Sequence, residues 1–187
     1  VLCEHRLRGA PGLRIGLSYG GGGSDARLCR DRRCVVEHDE GLMANNLIAS
    51  CSDEGIYVNR AARTRLLHNT VLDTAGVVAR FPESAAHAAR NLIDGPLRSR
   101  DGGALDAIDN RTQWLAPSFV GLHPVRRLFA DADALDLRWA GAPPRHTPAE
   151  PAEPPWDLCG APRPGAGAYG AFEDIGRCVG RSRATQR

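Results

Sequence analysis

Lysine is missing from this chain of 187 residues, whose 24 basic residues are all arginine. Two readings of that absence stay open: a G+C-rich coding sequence, or a use for arginine's planar fork on carboxylate or sulfate groups. No apolar run approaches the roughly 20 residues that span a bilayer, which excludes a membrane-crossing helix. The net charge of +2 is too small to argue for nucleic acid. The six cysteines (Cys3, Cys29, Cys34, Cys51, Cys159, Cys178) include no C-x-x-C pair, which excludes a zinc ribbon. Cys29 and Cys34 bracket a short arginine-rich stretch. Either they close a small disulfide loop, implying an oxidising compartment, or they are free buried thiols. The chain opens on Val1 without a signal peptide, and strand-like sequence begins by Leu13. The expectation is a mature or truncated piece of a longer protein, with missing coils upstream or a partner at its open N-terminal end.

With 42% hydrophobic and 25% charged residues, the chain has the composition of a folded domain. Its organisation lies in a repeat. Asn46, Asn69, Asn91 and Asn110 stand 23, 22 and 19 apart, the first three each followed by short β-rich runs. A second marker keeps step: Gly55, Gly76 and Gly95 stand 21 and 19 apart, opening Ile56–Asn59, Val77–Arg80 and Leu97–Arg100. Sustained helical periodicity and the L-x-x-L-x-L spacing of leucine-rich repeats are both lacking. A coil of short strands and turns fits, with asparagines at tight corners bonded to one another between coils about 4.8 Å apart. Leu13, Ile15 and Leu17 alternate with Arg14, Gly16 and Ser18 as an earlier strand, and 19–34 reads as an inserted loop. The predicted fold is all-β: a single-stranded right-handed parallel β-helix of about four coils over 1–113. A C-terminal capping segment over 114–173 and a tail over 174–187 follow.

Near the end, Ala134-Leu135-Asp136-Leu137-Arg138 resembles the DLRL phrase of secreted right-handed β-helix proteins of the pectate-lyase-like superfamily. Asp157-Leu158-Cys159-Gly160-Ala161-Pro162-Arg163-Pro164, then Gly170-Ala171-Phe172-Glu173, is similar to that superfamily's closing segment. Tyr169 stands where the usual Asp precedes the final Gly-Ala-aromatic-Glu. The resemblance implies the fold, an extracellular or periplasmic location, and an acidic polysaccharide as partner.

Alternation along the strand after each marker glycine puts Ile56, Val77 and Leu97 inside. Tyr57, Val78 and Arg98 then face outward, followed by Asn59, Arg80 and Arg100, with Arg14 and Ser18 extending the face. This arginine stripe is either a subsite row for a linear polyanion or a solvated surface. Beside it Asp53, Asp73 and Asp94 fall 20 and 21 apart, as turn residues or as a column bridged by calcium. For a proton-abstracting base the candidates are Arg80, Arg98 and His38, with Glu37 near it in sequence. The expected function is a carbohydrate-active protein, a lyase or hydrolase on an acidic polysaccharide. The alternative is a non-catalytic surface solenoid that binds glycan or protein. Gly16-Leu17-Ser18-Tyr19-Gly20 matches a nucleophile elbow but lacks the helix that such an elbow needs.

Overall fold

A computed structural model describes residues 1–3, 14–23, 25–29, 32–113, 121–148 and 153–178. Leu13 and positions 179–187 of the tail lie outside the described residues. The chain winds as a parallel β-solenoid. The first turn carries β1 (Leu17–Tyr19), β2 (His38–Asp39), β3 (Leu42–Ala44) and β4 (Leu47–Ala49). The second carries β5 (Ile56–Asn59), β6 (Ala61–Ala62), β7 (Thr64–Leu67) and β8 (Thr70–Leu72). The third has β9 (Val77–Arg80), β10 (Ala85–Ala89) and β11 (Leu92–Ile93), and a partial fourth has β12 (Leu97–Arg100) and β13 (Ala104–Ile108). The described strands form three main parallel sheets, β1-β5-β9-β12, β3-β7-β10-β13 and β4-β8-β11, and a short parallel pair, β2-β6. The solenoid thus makes about three turns, the fourth adding two strands and a bridge from Leu92 to Arg111.

Register follows the two sequence markers. Leu17, Ile56, Val77 and Leu97 are directly paired along the first sheet. The marker glycines recur because neighbouring turns touch there. A Cβ on Gly55 would meet Val71 Cγ1 at 2.3 Å, and one on Gly76 (φ +96°) would meet the Pro96 carbonyl at 2.2 Å. The asparagines form an unbroken ladder: Asn46 Nδ2 donates to Asn69 Oδ1 (2.8 Å), Asn69 Nδ2 to Asn91 Oδ1 (2.9 Å), and Asn91 Nδ2 to Asn110 Oδ1 (2.8 Å). Each ladder residue follows a left-handed corner, at Asn45, His68, Arg90 and Asp109, with φ between 51° and 58°. At the corner between two sheets the backbone polar groups lack strand partners, and the amides supply them. Asn69 and Asn91 are accordingly buried.

The inward residues Ile48, Ile56, Val58, Leu66, Val71, Val77 and Ile93 fill the coil. The third sheet is covered on both faces, so its strands read Leu-Ile-Ala, Thr-Val-Leu and Leu-Ile without polar alternation. Its outer side chains, Ala49, Leu72 and Leu92, pack under Val125, Phe129, Leu137 and Phe172 of the closing segment. That segment includes the antiparallel pair β14 (Phe129–Asp131) and β15 (Asp136–Trp139). It therefore lies along the flank of the coil, where the sequence had implied cover for a terminal rung.

The two phrases of the closing motif meet in one network. Asp157 accepts the Ala161 and Glu173 N–H groups at 2.7 and 2.9 Å. Arg163 donates to Glu173 (3.2 Å), to Asn45 Oδ1 (2.7 Å) and to the Gly170 carbonyl (2.9 Å). Tyr169 donates its hydroxyl to Asp109 on the coil. Burial first, then this bond, pushes the phenol up to about 12. Three disulfides, Cys3–Cys51, Cys29–Cys34 and Cys159–Cys178, staple the N-terminal segment, the inserted loop and the closing segment.

Candidate functional site

On the first sheet the outward residues form two rows. Ser18, Tyr57, Val78 and Arg98 stand in one, and Asn59, Arg80 and Arg100 in the other. The arginine stripe thus assembles, with two departures. Arg14 precedes β1 and lies outside any strand, its N–H on Ser52 Oγ (3.2 Å) and its carbonyl accepting from Asp53 N–H (3.2 Å). It does not extend the stripe, because β1 begins only at Leu17. Val78 is 1% exposed although its phase is outward. Arg98 on the fourth rung donates to Glu54 at 2.6 Å. Glu54 precedes the second-rung strand, so the arm crosses the rung of Val78.

Acids fix both central guanidinium groups. Arg80 uses its Nε for Asp101 and its plane lies over the Phe81 ring, 4.7 Å from the centroid. Asp101 and then Tyr57 raise its pKa. Burial pushes the Glu54 carboxyl above the usual carboxylate range, with Arg98 pulling the other way. Arginine carries five N–H donors, so the bonds of Arg80 to Asp101 and Tyr57 and of Arg98 to Glu54 leave donors on both forks, which stay partly exposed at 36% and 33%. Neither Arg80 nor Arg98 is placed as a base, because each is an ion-paired cation. Arg100 is exposed at the row's end.

Asn59 is enclosed by the inserted loop. A Cβ on Gly20 would strike its carbonyl at 1.9 Å, and one on Gly21 its amide nitrogen at 2.9 Å. Glu37 holds that loop down, accepting the Gly21 and Gly23 N–H groups at 2.7 and 3.2 Å. His38 stacks on Tyr19 with centroids 3.9 Å apart, in the strand paired with Ala61–Ala62. It belongs to the corner beyond Asn59, at the opposite end of the strands from Glu54 and Asp94.

The aspartate column forms, but its counter-charge is arginine. Arg126, from the closing segment, donates its Nε to Asp94, Nη2 to Asp73 (2.9 Å) and Nη1 to Asp133 (3.1 Å). Asp53 joins through its backbone, accepting the Ala75 N–H at 3.0 Å. Calcium does not fit this donor set: the oxygens facing each other across two rungs already hold a guanidinium. Among the described residues no three His, Cys, Asp or Glu side chains are grouped to hold a metal ion.

Beside this column lies a pocket of about 280 Å³ lined by His123, Arg126, Arg127, Phe129, Asp131 and Asp133 among others. His123 Nδ1 is 3.7 Å from Asp94 Oδ1, and both atoms are buried with no hydrogen-bond partner. No spacing along the chain points to this pair. His123 had no ligand spacing, and only the docking of the closing segment on the coil brings 123 to 94. No family model matches the chain, and no curated protein or solved structure matches it.

Proposed function

We propose that this β-solenoid is a carbohydrate-active protein that binds an acidic polysaccharide lengthwise across the β1-β5-β9-β12 face. The observation that carries the reading is the register of Tyr57, Arg80, Arg98 and Arg100 on successive rungs. An extended polyanion presents its charges at regular intervals, and a parallel sheet presents side chains at a fixed rung spacing of about 4.8 Å. Ion pairs to Asp101 and Glu54 hold two of the forks in place, which lowers the ordering cost of bidentate carboxylate or sulfate contacts. The likeness of the closing motif to pectate-lyase-like proteins points the same way. Three disulfides favour an oxidising compartment, extracellular or periplasmic.

A second reading, binding without turnover, is favoured by the face itself, whose two central arginines, Arg80 and Arg98, are paired and whose histidine candidate is stacked away from them. Affinity measurements on a panel of uronate and sulfated polysaccharides test the shared premise. Arg80→Ala with Arg98→Ala is expected to weaken binding at least tenfold, and an unchanged affinity would remove the stripe from consideration. Unsaturated product, read by ultraviolet absorbance, separates a lyase from a binding solenoid.

A further inference from the structure

We propose that His123 is the catalytic proton acceptor of this protein and that the buried Asp94 is its positioning residue. The inference rests on the acidic-polysaccharide reading above and supplies the base that the arginine face lacks.

Asp94 is 3% exposed. Its Oδ2 is taken by Arg126 and, at 3.4 Å, by the Asp73 N–H. Its Oδ1 lies 3.7 Å from His123 Nδ1 and has no hydrogen-bond partner among the described residues. A buried carboxylate oxygen without a donor is costly, so the imidazole proton belongs on Nδ1, facing Asp94. That tautomer leaves the Nε2 lone pair as the ring's free base, on a residue that lines the pocket. The present 3.7 Å separation exceeds a hydrogen bond, and catalytic contacts of this kind tighten when ligand seats.

The remaining charged groups sort by what they already hold. Arg126 is committed to Asp73, Asp94 and Asp133. Asp131 accepts the Ala134 N–H at 3.0 Å. Arg127 is exposed on the pocket wall and is the cation placed to meet a ligand's acid group. The pocket volume of about 280 Å³ is near the roughly 300 Å³ lower end of small-ligand sites, a size for one sugar ring of a longer chain. Asp94 stands four residues before Arg98, no more than about 13 Å along extended chain. A polymer on the arginine face can therefore enter the pocket with a neighbouring unit.

One base beside one available cation suits removal of a proton next to a carboxylate. Arg127 offsets the uronate charge, which acidifies the adjacent C–H. His123 Nε2 takes that proton, and the electron pair forms the C4–C5 double bond as the C4–O bond breaks. The departing oxygen receives the proton back from the imidazolium. One C–H and one C–O bond are lost, one π bond and one O–H are gained, and the imidazole is regenerated without oxidant or metal.

The test uses the full chain with polygalacturonate and alginate as probes. The wild type is expected to generate unsaturated uronate ends. His123→Gln should lower that rate at least a hundredfold while leaving polymer affinity within about twofold. Turnover lost in His123→Ala should return with added imidazole, a rescue that a merely structural role would not show. Turnover of His123→Gln within threefold of wild type overturns the assignment. Binding without turnover by the wild type overturns it too, yet leaves the polysaccharide reading standing. Neither binding nor turnover removes both.

Discussion

Asn91 shows how much one side chain carries at a solenoid corner. Its amide donates to Asn110 Oδ1, Leu66 O and Ala89 O, and its Oδ1 accepts from both nitrogens of Asn69. Asn91→Ala strands several buried groups at once, each worth about 1–3 kcal/mol. Urea unfolding should therefore show a loss of about 3 kcal/mol or more, against under about 1 for an exposed residue such as Arg100→Ala. His68, at the corner two turns into the ladder, gives a pH signature. Burial first, then Arg163, His146 and Arg90, lower its pKa from 6.5 to about 3. The folded state keeps the ring neutral while the unfolded chain binds a proton below 6.5. Its share of stability is complete above pH 6.5 and declines as pH falls toward 3, by at most about 1.4 kcal/mol per unit. Melting temperatures between pH 6.5 and 5 should fall less steeply in His68→Gln than in the wild type. At this scale the asparagines were legible from sequence because a shared period marks them. His68 and His123 were not, because a lone histidine carries no spacing.

Strand phase was legible wherever one face is buried and the other is wet, as in Ile56–Asn59. It misled at Val78, which lies under the arm from Arg98 to Glu54, and at Arg14, because the strand starts at Leu17, four residues after the Leu13 that alternation implied. Of the three spaced aspartates, the Asp73 and Asp94 side chains meet at one guanidinium, that of Arg126, 32 positions beyond Asp94 and outside any local pattern. That contact makes the closing segment a latch. Arg126→Leu leaves Asp94 buried without its cation, a loss of about 3–5 kcal/mol, and differential hydrogen exchange should show 121–139 opening first. Arg163→Met breaks another attachment to the coil, at Asn45, together with the bonds to Glu173 and Gly170 inside the segment. Amide hydrogen exchange within 153–178 should accelerate while the ladder amides of Asn69 and Asn91 stay protected. Equal deprotection of both regions would contradict separate docking of the segment.

Over the whole molecule the covalent staples differ in reach. Cys3–Cys51 closes 48 positions, Cys159–Cys178 closes 19 and Cys29–Cys34 closes 5. Loop-closure entropy then gives about 4, 3 and 2 kcal/mol. Paired Cys→Ser variants should rank in that order by midpoint denaturant, with the 29/34 pair the mildest. Only that last pair was foreseen from sequence, because the others join segments that neighbour each other only after winding. The winding also has a use beyond recognition. Along β3, β7, β10 and β13 the outward positions Leu42, Arg65, His87 and Asp106 stand in strict register. Their backbones recur about every 4.8 Å, whatever side chains they bear. Paired spectroscopic labels at those positions would be separated by whole multiples of that step, which makes the protein a graduated ruler for calibrating short distances.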